Sequence, residues 1–181
     1  MIYTFHIGSE DSPKFKVEID IDASDTFLRL RNAILDAAGY SKDQMDSFFI
    51  CDEHWNMGKE ITYADMGKDS DDDIWLMEDT PLEELIEDEG QRLVFVFDYL
   101  TDRNFFLILK EITPGKSLHD PLCKRKEGTA PREVIDIEEL LKTDTTRVAP
   151  DISDLDENFY GDDEYNEEDI ADLSSLDDIE Q

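Results

Sequence analysis

Cys123 and His119 stand four residues apart in a turn-rich stretch, and a thiol within reach of an imidazole is the least that nucleophilic catalysis needs. Such a site also requires a third group to hold the base, and no motif here supplies one at a fixed spacing. The simpler expectation is a semi-buried Cys123 packed against a sheet, with His119 in a loop. His119, Asp120 and Cys123 could instead offer mixed metal ligands, joined by His54 or Asp98 from elsewhere. Structural zinc usually takes four Cys or His ligands in paired short spacings. The chain has two Cys and three His in all, so no metal is expected. Asp69-Ser70-Asp71-Asp72-Asp73 sets acids at alternate positions, as calcium loops do. Ile74 stands where such a loop needs glycine and Thr80 where it needs a bidentate Glu, so a charged surface loop is expected. Forty-eight Asp and Glu guarantee chance carboxylate pairs, which therefore carry no argument for a glycosidase. Phosphate-cradling and dinucleotide-binding glycine motifs are absent from the sequence, and no cofactor is expected.

The charge excludes more than it suggests. The net charge is -31 over 181 residues. Residues 151–181 hold fourteen acids and no Lys or Arg, and so contribute -14; the other 34 acids and 17 bases give residues 1–150 a charge of -17. Non-specific nucleic-acid binding draws on Lys and Arg displacing counterions. The densest positive run is Lys124-Arg125-Lys126, which reads as a solvated loop, so direct nucleic-acid binding is not expected. Two cysteines make no disulfide framework, and the N-terminus lacks a basic start with an apolar run. No stretch reaches the roughly 18 apolar residues of a membrane span. A cytoplasmic protein with no membrane association is the expectation.

The elements that must position any site follow from periodicity. Phe15, Val17, Ile19 and Ile21 alternate with charged residues, and Tyr3, Phe5 and Ile7 give the matching face of a hairpin over 1–8 and 14–21. Phe27, Leu30, Ile34 and Ala38 recur at helical steps, with Ser24 or Asp25 as N-cap and Gly39 as stop. A short strand at Ser47–Cys51 and another near Trp55–Ile61 precede a polar loop over 62–73. Thr80-Pro81-Leu82-Glu83 has the form of a capping box opening a helix with Leu82, Leu85 and Ile86, which Gly90 stops. Leu93–Phe97 and Phe105–Ile112 are apolar on both faces and so read as central strands. From Thr113 to Leu141 the chain is irregular, with one last short helix over 135–141. The predicted fold is α+β: a mainly antiparallel mixed sheet in the order strand-strand-helix-strand-strand-helix-strand-strand, with helices packed on it. The domain is placed at residues 1–142, and an acidic, disordered tail at 143–181. Phe95, Phe97, Phe105 and Phe106 read as core, with Trp55, Trp75 and Tyr99 left open as pocket residues.

Two stretches carry a resemblance. Phe97-Asp98-Tyr99-Leu100-Thr101-Asp102 lies at the end of one strand; Pro121-Leu122-Cys123 and Gly128-Thr129-Ala130-Pro131-Arg132-Glu133 come downstream. Together with the Leu82-Glu83-Glu84-Leu85 helix, they resemble the plasmid pRiA4b ORF-3-like family over about residues 1–135. Asp98, Cys123, Gly128, Pro131 and Glu133 match its pattern. Leu100 and Thr101 stand for its Gly and second Asp, Arg103 for its Trp, Arg132 for its second Pro and Val134 for its final Asp. The resemblance implies an α+β fold and an association with plasmids and mobile elements; it brings no activity. Asp98, Tyr99, Cys123 and Glu133 are the candidate pocket residues.

The acidic tail also carries spaced apolar residues, among them Phe159, Tyr160, Tyr165, Ile170, Leu173 and Leu176. A disordered acidic segment with such anchors can fold against a basic, partly apolar groove; a merely solubilising tail is the plainer alternative. Two readings result. In one, the protein is a non-enzymatic interaction module whose tail binds a basic protein partner or mimics nucleic-acid charge. In the other, it is a small-molecule-binding or hydrolytic domain with a site near Asp98, Cys123 and Glu133.

Overall fold

The computed structural model describes residues 1–65 and 74–134. The described elements all belong to the unit Met1–Ile135. The predicted helix over 135–141, the Asp69–Asp73 run and the tail anchors lie outside the described residues.

The described chain is mostly sheet. Eight strands, β1 (Ile2–Gly8), β2 (Lys16–Asp22), β3 (Ser47–Cys51), β4 (Met57–Thr62), β5 (Trp75–Leu76), β6 (Arg92–Asp98), β7 (Arg103–Thr113) and β8 (Leu122–Glu127), form one sheet in the order β5-β4-β3-β6-β7-β1-β2-β8. All neighbours run antiparallel except β4 and β5. Two small helices, α1 (Phe27–Ala38) and the single turn α2 (Leu82–Leu85), complete it. The predicted order lacks two of these strands. β5 is too short to show a period, and β8 lies in the stretch expected to be irregular, where all six of its residues are exposed.

Period-two alternation explains the inner face. Tyr3, Phe5, Ile7, Val17, Ile19 and Ile21 are buried, as are Leu93, Phe95, Phe97, Phe105, Leu107 and Leu109 from the central pair. They share one core with Phe27, Leu30 and Ile34 of α1, and the Phe27 ring lies 5.5 Å from that of Phe48 in β3. Charged residues enter this layer too. Arg31, 1% exposed, holds both oxygens of Asp46 at 2.6 and 2.8 Å and donates to the Lys42 and Gln44 carbonyls, fixing the chain that leads into β3.

The helix starts differ from their predicted form. Neither Ser24 nor Asp25 caps α1; Thr26 occupies that position without a side-chain bond. The free amides of Phe27 and Leu28 instead donate to the Thr80 and Met77 carbonyls, and those of Leu82 and Glu83 donate back to Asp25 and Ala23. The capping box also does not form, because the Thr80 hydroxyl donates to the Leu76 carbonyl at 2.7 Å and Pro81 becomes the cap. The two helix starts therefore cap each other through backbone. Gly39 closes α1 as predicted, in the left-handed conformation with its amide on Leu35.

Candidate functional site

Asp98 is the last residue of β6, where the chain turns toward β7. Its carboxylate accepts from the Leu100 and Thr101 amides at 3.0 and 3.3 Å and from the Thr101 hydroxyl at 2.5 Å, closing the hairpin loop. Arg103, opening β7, reaches the same carboxylate through its Nη2 at 3.0 Å. Burial alone would raise the Asp98 carboxyl; the bonds from Thr101, Arg103 and Leu100 outweigh it and hold the group below the usual carboxylate range.

Arg103 links this turn to the second family-like stretch. Its guanidinium is 7% exposed, lies over the Phe97 ring, and donates to the Arg132 carbonyl and, at 2.7 Å, to the Glu133 carbonyl. The Glu133 carboxylate points elsewhere and accepts from the Ser41 amide at 2.9 Å. Beside it the Tyr40 hydroxyl donates to the Pro131 carbonyl, while its ring stacks on Phe105. Earlier in the same stretch the Thr129 carbonyl accepts from the Ser12 hydroxyl at 2.7 Å. Gly128 has φ 69, and a Cβ there would collide with the Lys14 carbonyl, so only glycine allows that approach. Residues 128–134 thus form a strap across the β1–β2 loop, the segment that follows α1 and the β6–β7 hairpin.

Asp98 and Glu133 are brought into one network with Arg103 between them, and the Arg103 bonds to the Arg132 and Glu133 carbonyls hold the strap to the hairpin. Tyr99 is half exposed; desolvation pushes its hydroxyl pKa up, opposed by a bond with Ser47 and reinforced by Glu60 and Asp46. Cys123 does not join them. It pairs with Ile19 at the sheet edge, four strands from Asp98, exposed, with its thiol 3.6 Å from the Arg125 carbonyl. The expectation of a semi-buried Cys123 fails because β8 has the sheet on one side only. His119 is almost wholly exposed, and its carbonyl and the Asp120 carboxylate both receive Arg29. Among the described residues no three His, Cys, Asp or Glu side chains gather as a metal site. No helix there is long and apolar enough to cross a membrane.

Sequence reasoning misses the opposite face of the sheet. Val94, Val96 and Cys51 are buried there under Phe49, Trp55 and Phe106, and an open cleft lies beside Trp55. Phe106 reads as core from its apolar run, although its alternation with Phe105 and Leu107 places it on the other side.

No curated protein matches the chain. Among solved structures, the crystal structure of a protein of unknown function, MM3350 from Methanosarcina mazei Go1, matches with a TM-score of 0.59 at 16% identity, over 78% of this chain and 80% of that one. At that identity the likeness concerns the fold. The family described as plasmid pRiA4b ORF-3-like protein matches residues 3–170, which takes in the strap and reaches into the acidic segment. With nearly its whole length matched, and with Gly128, Pro131 and Glu133 in a strap that Arg103 ties to Asp98, the chain belongs to the plasmid pRiA4b ORF-3-like family.

Proposed function

We propose that this protein is a non-enzymatic interaction module of the cytoplasm, with the sheet domain as scaffold and the acidic tail as the binding element. The partner is a basic protein, and the tail's spacing of charge lets it compete with nucleic acid for such a surface. The family's name points to plasmid or mobile-element biology as the setting. The observation that carries the reading is the charge distribution: fourteen acids and no base over residues 151–181, interleaved with Phe159, Tyr160, Tyr165, Ile170, Leu173 and Leu176. Acid runs without such anchors give solubility; with them they give a sequence able to fold on a basic groove. The network around Arg103 supports the non-enzymatic half, because the Asp98 and Glu133 carboxylates accept bonds that secure the fold. The alternative of a hydrolytic or small-molecule site shared by Asp98, Cys123 and Glu133 has lost its third member to the far edge of the sheet. The test is capture of basic proteins from native-cell extract by the full chain and by a chain lacking residues 143–181. Capture should vanish with the tail, and undiminished capture refutes the proposal.

A further inference from the structure

We propose that the cleft beside Trp55 binds a small zwitterion bearing an apolar ring, the chemistry of an aromatic α-amino acid. This goes beyond the tail reading and does not depend on it.

The cleft is built. Trp55 sits at φ 65, a conformation that a bulky residue keeps only if its surroundings hold it. The surroundings do hold it. One Asp52 carboxylate oxygen accepts from the His54 and Asn56 amides at 2.8 and 2.9 Å, and the other from the Asn56 side chain at 2.7 Å. Arg92 places its guanidinium 5.1 Å from the indole and donates to the Glu53 carbonyl. The indole meets the Phe106 ring edge-to-face at 4.9 Å, standing at one side of the sheet's outer face.

From there the surface opens as a cleft of about 500 Å³, with Phe106, Ile108 and His6 along its floor. That volume falls within the range that small ligands occupy. The far wall is made by Lys16 and Glu18 of β2 and Arg125 and Glu127 of β8, two cations and two anions. Arg125 Nε lies 2.8 Å from Glu127, and Glu18 is shared by His6 and Lys124, each at 3.1 Å. A chain of charge -31 disfavours a free anion, and two cations set beside two anions offer a partner to each end of a dipolar ligand. A net-neutral ligand with separated charges satisfies both conditions, its carboxylate toward Lys16 or Arg125 and its ammonium toward Glu18 or Glu127. Its ring then lies on Phe106 and Ile108 against Trp55.

The full chain carrying Trp75→Phe leaves Trp55 as the only indole, so its fluorescence reports the cleft. Titration with L-phenylalanine should give a saturable change. 3-Phenylpropanoate, phenethylamine and glycine, lacking the ammonium, the carboxylate and the ring, should each bind about tenfold more weakly or less, the cost of an unmet polar or apolar contact. Arg125→Gln and Glu127→Gln sit on an exposed edge strand and should each weaken phenylalanine binding with the circular dichroism unchanged. Equal binding of the three ring-bearing probes, no response to any probe, or unaltered affinity in both variants would overturn the proposal. Should Trp75→Phe disturb the fold, calorimetric titration of the native chain makes the same comparison. The tail is intact throughout, so failure here leaves the partner-capture test standing, and the reverse also holds.

Discussion

Arg103→Met separates a structural strap from a catalytic site. The substitution keeps the aliphatic stem over Phe97 and removes the guanidinium. Lost with it are the bonds to Asp98 at 3.0 Å, to the Thr101 hydroxyl at 3.0 Å and to the Arg132 and Glu133 carbonyls. Truncating one partner of a buried charge pair costs about 3–5 kcal/mol when the other is left unmet. Asp98 keeps the Thr101 hydroxyl and two amides, which lowers the cost, while two carbonyls of the strap lose a charged donor. The expected loss is about 3 kcal/mol, with bonds to charged groups worth about 1.5–3 kcal/mol each. With a urea m-value of about 1.5–2 kcal/mol/M for a domain of this size, the unfolding midpoint should fall by about 1.5–2 M. Far-ultraviolet circular dichroism against urea measures it, and Asp98→Asn alone and combined with Arg103→Met completes a cycle. The two should couple by about 1–2 kcal/mol, as contacting charged groups do. A cost below about 1 kcal/mol with additive double-variant behaviour would refute the strap and return Asp98 to the list of groups available for chemistry.

Three further outcomes are expected. Burial would raise the Asp98 and Asp22 carboxyls, but their hydrogen bonds prevail and hold both below the ordinary range. Their stabilisation is therefore complete above about pH 4, the unfolded value, and is lost as pH falls through the lower folded values. Urea midpoints should decline on that limb, and Asp98→Asn should flatten it; a limb unchanged by Asp98→Asn counts against the network. Gly128→Ala must adopt φ 69 and displace the Lys14 carbonyl, costing about 3 kcal/mol or more by thermal unfolding, whereas Gly115→Ala, at φ 73 with open space around it, should cost about 1–2 kcal/mol. Equal costs would deny the close approach. Iodoacetamide should label exposed Cys123 well ahead of Cys51, whose thiol is buried and pushed up in pKa by that burial. Labelling in the reverse order would contradict the edge position of β8.

What was legible in the sequence depended on whether a residue's surroundings are one-sided. β1 and β2 have one wet face, so their alternation was visible, and the apolar runs of β6 and β7 marked them as central. β8 has solvent around it and no alternation to show, so Leu122-Cys123-Lys124-Arg125-Lys126-Glu127 read as loop. As an edge strand the same residues make physical sense, because Lys and Arg on an open edge discourage pairing with another chain. Lys124 pairs across the edge with Glu18 at 3.1 Å and Asp20 at 3.4 Å. The helix starts were misread for a related reason. A capping pattern is local, whereas the amides of α1 and α2 found carbonyls from 49 to 60 residues away. Trp55 was open as a pocket residue, but its placement was not legible, because its turn depends on Asp52 bonding to Asn56, a spacing without a familiar signature.

The site residues teach the sharper lesson. Arg103 and Arg132 read as departures from the family pattern, and the first of them is the group that joins Asp98 to the strap. A guanidinium over Phe97 fills the place of an aromatic side chain and adds donors that an indole does not have, since Trp offers one N–H and Arg five. Four carbonyls, those of Thr129, Pro131, Arg132 and Glu133, each accept a bond from the body, as the backbone of an irregular segment must when it lies against a core. Donors from Tyr40 and Arg103 therefore explain how residues 128–134 stay in place without sheet or helix, with Gly128 allowing the close approach. Any recognition must then use groups left over once that segment is secured. On the described surface the best candidates are Trp55 and the mixed charges opposite it, which no strap bond consumes.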